Sequence, residues 1–155
     1  MRYSNIVHLS DLHLSSNETG RYNQDLIIDA LIDDLKMVSD NHLRPDCIIF
    51  SGDIVNSADD NEIFEEAELI LEEFARAAGI QRDRVFLCPG NHDASRNAVG
   101  PTLPSIKKYR NLRNIDEVNG LSKSSEYVAH VSNVFAKYSA LAKNLENLIL
   151  CTRML

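Results

Sequence analysis

The sequence lacks long apolar runs, and its start lacks the layout of a signal peptide. No stretch approaches the roughly 18 consecutive apolar residues expected of a membrane-spanning helix, and residues 1–5 lead straight into a short apolar segment. Internal repeats and low-complexity tracts are also missing. We therefore expect a soluble, cytoplasmic protein that does not insert into a membrane.

Cysteine is scarce and odd in number, with Cys47, Cys88 and Cys151 in a chain of 155 residues. This number gives no disulfide framework, and the spacing fits no cysteine-based zinc site. Cys47 and Cys88 fall within predicted buried strands, where a free thiol packs like a small apolar side chain. We expect both to belong to the core.

Basic residues are few in the first part of the chain and more frequent in the second. Residues 1–93 contain 19 acidic and 7 basic side chains, whereas residues 94–155 contain 4 acidic and 9 basic ones. The acidic part would repel a polyanion unless bound cations reversed the local field. The basic stretch Lys107–Arg113, with four cations and one tyrosine, is suited either to a phosphate backbone or to a solvated surface.

Three short apolar runs alternate with helical patterns in the first 93 residues. The runs begin at Ile6, Cys47 and Val85, and the intervening patterns predict helices over 23–40 and 61–78. This order predicts an α/β fold with parallel βαβαβ connectivity. Residues 94–155 form a helical, basic segment of the same single domain, with predicted helices over 105–115 and 126–150.

Polar side chains follow each predicted strand directly. Asp11 and His13 follow the first, Asp53 the second, and Asn91 and His92 the third. In open parallel sheets, ligands bind at the carboxyl ends of the strands. We therefore expect these five side chains to converge, although they span about 80 positions of sequence.

Carboxylates, imidazoles and a carboxamide are hard or borderline ligands, suited to divalent Mn, Fe, Zn or Mg. Asp11 and His13, two positions apart, can lie on the same side of the backbone. Asp53 has two oxygens and can bridge two ions, and Asn91 can offer its carbonyl oxygen to the second. A paired-metal site of this kind lowers the pKa of a bound water and stabilises a phosphoryl group.

Together, Asp11-Leu12-His13, Gly52-Asp53 and Gly90-Asn91-His92-Asp93 resemble the first three motifs of the calcineurin-like metallophosphoesterases. The resemblance implies that the chain is one βαβαβ half of an αββα sandwich, followed by helices. It also implies two divalent metal ions, with manganese favoured and iron, zinc or magnesium as alternatives. Asp11 and His13 would bind the first ion, Asp53 would bridge both, and Asn91 would bind the second.

The same resemblance assigns roles to residues that do not bind metal. His92 would lie against the substrate phosphate and protonate the leaving alkoxide. Asp93 is expected to orient His92 or to shape the turn. Apart from the resemblance, Arg96 follows the third motif closely, and from this position we expect it to contact phosphate or to form a salt bridge. The remaining histidines are not expected to bind metal. His8 is predicted to be a packed, hydrogen-bonded core residue, and His42 and His130 are predicted to lie outside the metal site.

The sequence departs from the family in lacking a later Gly-His-x-His motif, which would complete both metal shells. We therefore expect this chain, residues 1–155, to be the N-terminal half of a longer domain, lacking a C-terminal half or a partner chain. An uncovered apolar face would favour self-association. Weak, partial metal binding with little turnover is expected of the chain alone.

Three functions are consistent with these residues. The favoured one is a two-metal phosphodiesterase or nuclease that acts on nucleic acid or a nucleotide, since the opening 6–13 is similar to both the repair exonucleases and the cyclic-nucleotide phosphodiesterases of the family. An alternative is a non-catalytic binding or regulatory half-domain. A protein Ser/Thr phosphatase is the third, although Gly52-Asp53 lacks the Arg-Gly continuation of that branch.

Overall fold

A computed structural model describes residues 3–60, 62–99 and 112–145. Its first part alternates strands and helices, and its second part is helical. The elements, in chain order, are β1 (Ile6–Leu9), α1 (Glu18–Val38), β2 (Cys47–Phe50), α2 (Ile63–Ala77), β3 (Val85–Leu87), α3 (Arg96–Val99), α4 (Ile115–Ser122), α5 (Ser125–Val134) and α6 (Ala136–Asn144). A π-helical turn over Ser39–Leu43 extends α1, and a 3-10 turn over Arg82–Arg84 precedes β3.

The three strands form a parallel sheet in the order β1-β2-β3. In this sheet Val7 is opposite Ile48, and Ile48 is opposite Val85. Parallel neighbours joined by helical crossovers place all three carboxyl ends at one edge. The α/β fold class, the strand order along the chain and the βαβαβ connectivity predicted from sequence are confirmed.

One face of the sheet packs into the hydrophobic core. Ile48 and Phe50 of β2 and Val85 of β3 are at most 1% exposed and cluster with buried side chains of α1 and α2. These side chains alternate along the strands, as expected when one face is covered. The core is therefore built between this face and the two crossover helices.

The opposite face carries side chains that were expected to be buried and are not covered by the residues that the structure describes. His8 is exposed, and its Nε2 lies 2.7 Å from the Ser51 hydroxyl oxygen, so it is hydrogen-bonded as predicted but the prediction of core packing is wrong. Cys47 is only half-buried and Cys88 is exposed. The pattern of apolar residues in a strand does not reveal whether its second face is covered.

Helix limits differ from the sequence prediction at several points. α1 begins five residues earlier than expected, and the single helix predicted over 126–150 is broken at Phe135 into α5 and α6. α4 was not anticipated from the sequence. Of the predicted helix over 105–115, residues 105–111 lie outside the described residues, as does most of the basic stretch Lys107–Arg113, while residues 112–114 are not helical.

The two crossover helices are joined by a side-chain ion pair. Arg21 of α1 makes a two-pronged contact with the carboxylate of Glu66 of α2, with one N–O distance of 2.9 Å. Paired N–H to oxygen bonds fix both orientation and distance. Glu66 is half-buried in this contact.

The last helix completes the core on the side of α2. Tyr138, Leu141 and Leu145 are at most 2% exposed and belong to the same hydrophobic cluster as α2. The first 93 residues and the helical segment therefore share one core.

No helix within the described ranges is long and apolar enough to cross a membrane.

Replacing Phe74 by Ala should destabilise the fold by about 3–5 kcal/mol, because the ring, in the last turn of α2, is fully buried and its removal leaves a cavity. Leu69→Ala, on the same helix but 67% exposed, should change the free energy of unfolding by less than about 0.5 kcal/mol. Urea denaturation of both variants measures the difference. Equal losses would contradict the core described above.

Candidate metal centre

The backbone ladder between β1 and β2 continues past the ends of both strands. The N–H of Asp11 donates to the carbonyl of Gly52, that of His13 to Asp53, and that of Leu14 to residue 54, at 2.9–3.1 Å. The segments that follow the two strands are therefore held side by side, residue for residue. This extension, rather than the strands themselves, carries the candidate ligands.

Three candidate ligand residues adopt left-handed backbone conformations. The φ angles of Asp11, His13 and Asp53 are 58°, 49° and 53°. Such angles are uncommon for residues other than glycine, although Asp and His tolerate them better than most. Strained positions of this kind cluster at functional sites, where the surrounding structure enforces them. Here the continued ladder enforces the conformation of two adjacent segments.

The side chains of Asp11, His13 and Asp53 come together as the sequence predicted. One potential ligand atom from each lies within 4.8 Å of the others, and His13 Nε2 is 3.6 Å from Asp11 Oδ1. Two ligands bound to one ion at about 2.1 Å lie roughly 3.0–4.2 Å apart. A contraction of about 0.6 Å in the longest of these separations would bring all three within reach of one divalent ion.

The donor set also fits a cation on chemical grounds. Two carboxylates and an imidazole are suited to Mn²⁺, Fe²⁺ or Zn²⁺. The buried Nδ1 of His13 has no hydrogen-bond partner among the described residues. The nitrogen that faces the Asp11 carboxylate is Nε2, which is therefore the atom of His13 suited to share a cation with that carboxylate.

The third strand end joins this cluster through two glycines in close backbone contact. A Cβ atom on Gly52 would lie 3.0 Å from the Cα of Gly90, and one on Gly90 would lie 2.2 Å from Asp53 Oδ1. Gly52 also has a φ of 112°, which an L side chain rarely adopts. The approach brings the N–H of His92 to 2.8 Å from Asp53 Oδ1.

His92 is held beside the cluster with a defined ring orientation. Its Nδ1 lies 2.7 Å from the carbonyl oxygen of Asn56, and since a carbonyl only accepts, Nδ1 carries a proton. Its ring meets that of His13 edge-to-face, with centroids 4.7 Å apart. Nε2 is consequently the nitrogen left to exchange a proton.

Asp93 shapes the turn. Its carboxylate is 1% exposed and accepts hydrogen bonds from the N–H of Gly90 at 2.8 Å and from that of Val55 at 3.1 Å. Burial raises the pKa of Asp93, while these two N–H groups act in the opposite direction. Among the residues that the structure describes, the hydrogen-bond partner of the His92 ring is the carbonyl of Asn56 and not this carboxylate.

Asn91 and Arg96 are placed less closely. Asn91 is exposed and lies between Gly90 and His92, whose backbones both approach Asp53. The N–H of Arg96 donates to the Asp59 carboxylate at 3.0 Å. Its side chain is exposed, and within the described residues its guanidinium forms no ion pair. Both expected roles stay predictions.

Two supporting residues were missed in the sequence. The side-chain amide of Gln24, in α1, donates to the carbonyl of His13 at 2.6 Å and accepts from the N–H of Ser15 at 3.1 Å. Asp59 accepts from the Ser95 hydroxyl at 2.6 Å. Gln24 gave no signal in the sequence, because an amide on a helix face is usually solvated. Asp59 lies outside the motifs that carry the candidate ligands, so the sequence did not single it out.

Two strand-end carboxylates and one imidazole in strained conformations, with an anchored histidine beside them, form a candidate metal centre at the carboxyl edge of a parallel sheet. The chain belongs to the calcineurin-like phosphoesterase family, whose model matches residues 4–151. The resemblance seen in the three motifs is thereby confirmed.

A curated relative supports the same grouping. The chain is 29% identical over 94 residues to a probable glycerophosphodiester phosphodiesterase from Arcobacter nitrofigilis. The match covers 59% of this chain and 31% of the relative. The chain thus spans about a third of the length of the curated relative that it matches.

Gly90→Ala should damage the metal centre, because the new Cβ would overlap the carboxylate and the backbone nitrogen of Asp53. We expect a loss of about 1–3 kcal/mol in the free energy of unfolding and about tenfold weaker Mn²⁺ binding. Gly120→Ala in α4 is the matched control, since no atom lies within 4 Å of its Cβ position. Denaturation and electron paramagnetic resonance titration with Mn²⁺ check both. Equal behaviour of the two variants would show that the Gly52–Gly90 contact does not organise the site.

Asp59 should make stability depend on pH in the acid range. The Ser95 hydroxyl bond is the largest cause of its lowered pKa, and the N–H groups of Asn97 and Arg96 add to it. The stabilisation is therefore present above the ordinary pKa of about 3.9 and is lost as pH falls through the lowered folded value. The difference in unfolding free energy between wild type and Asp59→Asn, measured from pH 6 to pH 2, should shrink only below about pH 4. A constant difference would refute the assignment.

Proposed function

We propose that this chain provides the first metal centre and the general acid of a metal-dependent phosphodiesterase. The observation that carries the proposal is the convergence of Asp11, His13 and Asp53 within 4.8 Å, with His92 anchored beside them. Family membership supports phosphoester chemistry. Bound divalent ions would supply polarisation of the phosphoryl oxygens and a water of lowered pKa.

The chain's own residues would divide the remaining work. Asp11 and His13 would hold one ion, and Asp53, already oriented by the N–H of His92, would bridge to a second. Asn91 would offer its carbonyl oxygen to that second ion. His92, with Nδ1 donating to the Asn56 carbonyl, would deliver a proton from Nε2 to the leaving oxygen.

The substrate class we propose is a phosphodiester of a nucleic acid or nucleotide. The relative named as a probable glycerophosphodiester phosphodiesterase also supports a diester. Bound cations would offset the acidic balance of residues 1–93 and allow a polyanion to approach. If Lys107, Lys108, Arg110 and Arg113 contact that polyanion, replacing all four should weaken DNA binding and lower its salt dependence.

We further propose that the active domain is completed by residues outside this sequence or by a partner chain. Two observations support this. The second ion would have only Asp53 and Asn91 from the predicted ligand set, and Ile6 on the second face of the sheet is 55% exposed. The same exposed face favours the second candidate function, a non-catalytic half-domain that binds a partner through it. Manganese remains the ion we favour.

The full-length protein should hydrolyse bis-p-nitrophenyl phosphate with added Mn²⁺ and act more slowly on p-nitrophenyl phosphate. His92→Ala should lower kcat about 10²-fold or more, because a general acid contributes about 10²–10⁴. Asp53→Asn should abolish Mn²⁺-dependent activity. His130→Ala, a histidine of α5 outside the cluster, is the control and should retain activity.

The 155-residue chain alone should bind Mn²⁺ weakly and turn over little substrate. Preference for the monoester by the full-length protein would favour a protein phosphatase. Metal-independent turnover, or full activity of His92→Ala, would overturn the proposal. A fully active isolated chain would overturn the statement that its domain is incomplete.

A further inference from the structure

The loop after the second strand contacts His92 at two points. This loop, residues 56–60, follows the candidate ligand Asp53. Its first carbonyl, that of Asn56, lies 2.7 Å from His92 Nδ1, and the N–H of Ala58 donates to the His92 carbonyl at 3.2 Å. The ring and the backbone of the proposed general acid are therefore both fixed by the same loop.

The far end of the loop holds the segment that follows His92. The Asp59 carboxylate accepts the Ser95 hydroxyl at 2.6 Å on one oxygen. On the other it accepts the N–H groups of Arg96 and Asn97 at 3.0 and 3.1 Å. Three hydrogen bonds to an ionised carboxylate are individually stronger than neutral ones. The loop is thus hydrogen-bonded to the chain at residue 92 and again at residues 95–97.

Ser95, which is hydrogen-bonded to Asp59, also contacts the helical segment. Its N–H donates to the carbonyl of Val134 at 2.9 Å, and its hydroxyl accepts from the N–H of Ala98 at 3.0 Å. Val134 is the last residue of α5, next to the break at Phe135. The break places this carbonyl against Ser95, so the helical segment supports the chain that leaves the metal centre.

We propose that Asp59 is a positioning residue for His92, acting through the loop 56–60 and through Ser95. This inference rests on the proposed function in so far as His92 is taken as the general acid. A general acid works only within hydrogen-bonding reach of the leaving oxygen, and small displacements reduce its contribution. Loss of the Asp59 carboxylate would remove its three hydrogen bonds to residues 95–97 and loosen the loop that fixes the ring.

The test uses the full-length protein with Asp59→Ala and Ser95→Ala. Asp60→Ala is the matched control, because the neighbouring Asp60 carboxylate accepts from Ser16 instead. Nitrogen-15 spectra of labelled histidine report the His92 tautomer, and steady-state kinetics separate kcat from KM. In the wild type the Nδ1–H form should dominate.

In Asp59→Ala the Nε2–H form should gain population, and kcat should fall about tenfold with KM changed less than about twofold, since the acid is displaced but present. Ser95→Ala should shift both readouts in the same direction, and Asp60→Ala should shift neither. An unchanged His92 spectrum in Asp59→Ala and Ser95→Ala would overturn the proposal, whatever happens to kcat.

The spectra decide the positioning role even if the wild type proves inactive, in which case only the proposed function fails. Should Asp59→Ala fail to fold, Ser95→Ala decides by the same spectrum. A fall in kcat with an unchanged tautomer would assign Asp59 a purely structural role and reject the inference.

Discussion

The candidate site depends on the hydrogen-bonded ladder that continues beyond β1 and β2. Ordinarily a strand that ends releases its backbone to a loop, and loops are the most variable part of a fold. Here the segments 11–14 and 52–56 remain paired after the strands end. The backbones of these two segments are therefore fixed by hydrogen bonds as in a sheet. The left-handed conformations of Asp11, His13 and Asp53 nevertheless depart from the regular alternation of side chains along a strand.

That pairing also explains how three left-handed residues persist. Each such residue costs on the order of 1–2 kcal/mol, which an isolated loop would avoid by relaxing. At Asp11, His13 and Asp53 relaxation would break ladder bonds and separate Gly52 from Gly90. The strain is thus supported by the core that holds β2 between its neighbours, and the same core keeps the three candidate ligand residues close together.

Much of this arrangement could be predicted from sequence because topology links the end of a strand to the edge of a sheet. Asp11, His13 and Asp53 followed from that rule. The contact between Asn56 and His92 did not, because it uses a backbone carbonyl, which every residue possesses. The exposure of His8 and Cys88 was missed for another reason: the period-2 pattern of a strand shows that two faces exist, and not what covers the second. The break at Phe135 is likewise a tertiary effect, since nothing in its local propensity ends a helix.

The backbone contact between Gly52 and Gly90 has a consequence for which changes of chain length the fold tolerates. Crossovers such as α1 and its preceding loop can gain or lose residues with small entropic effect, because the strands they join find the same partners. A single residue inserted between Phe50 and Asp53, or between Leu87 and Gly90, would rotate the following side chain to the other face and part the two glycines. Length variation in descendants of this sequence should therefore accumulate in the crossovers and be absent from these two short intervals.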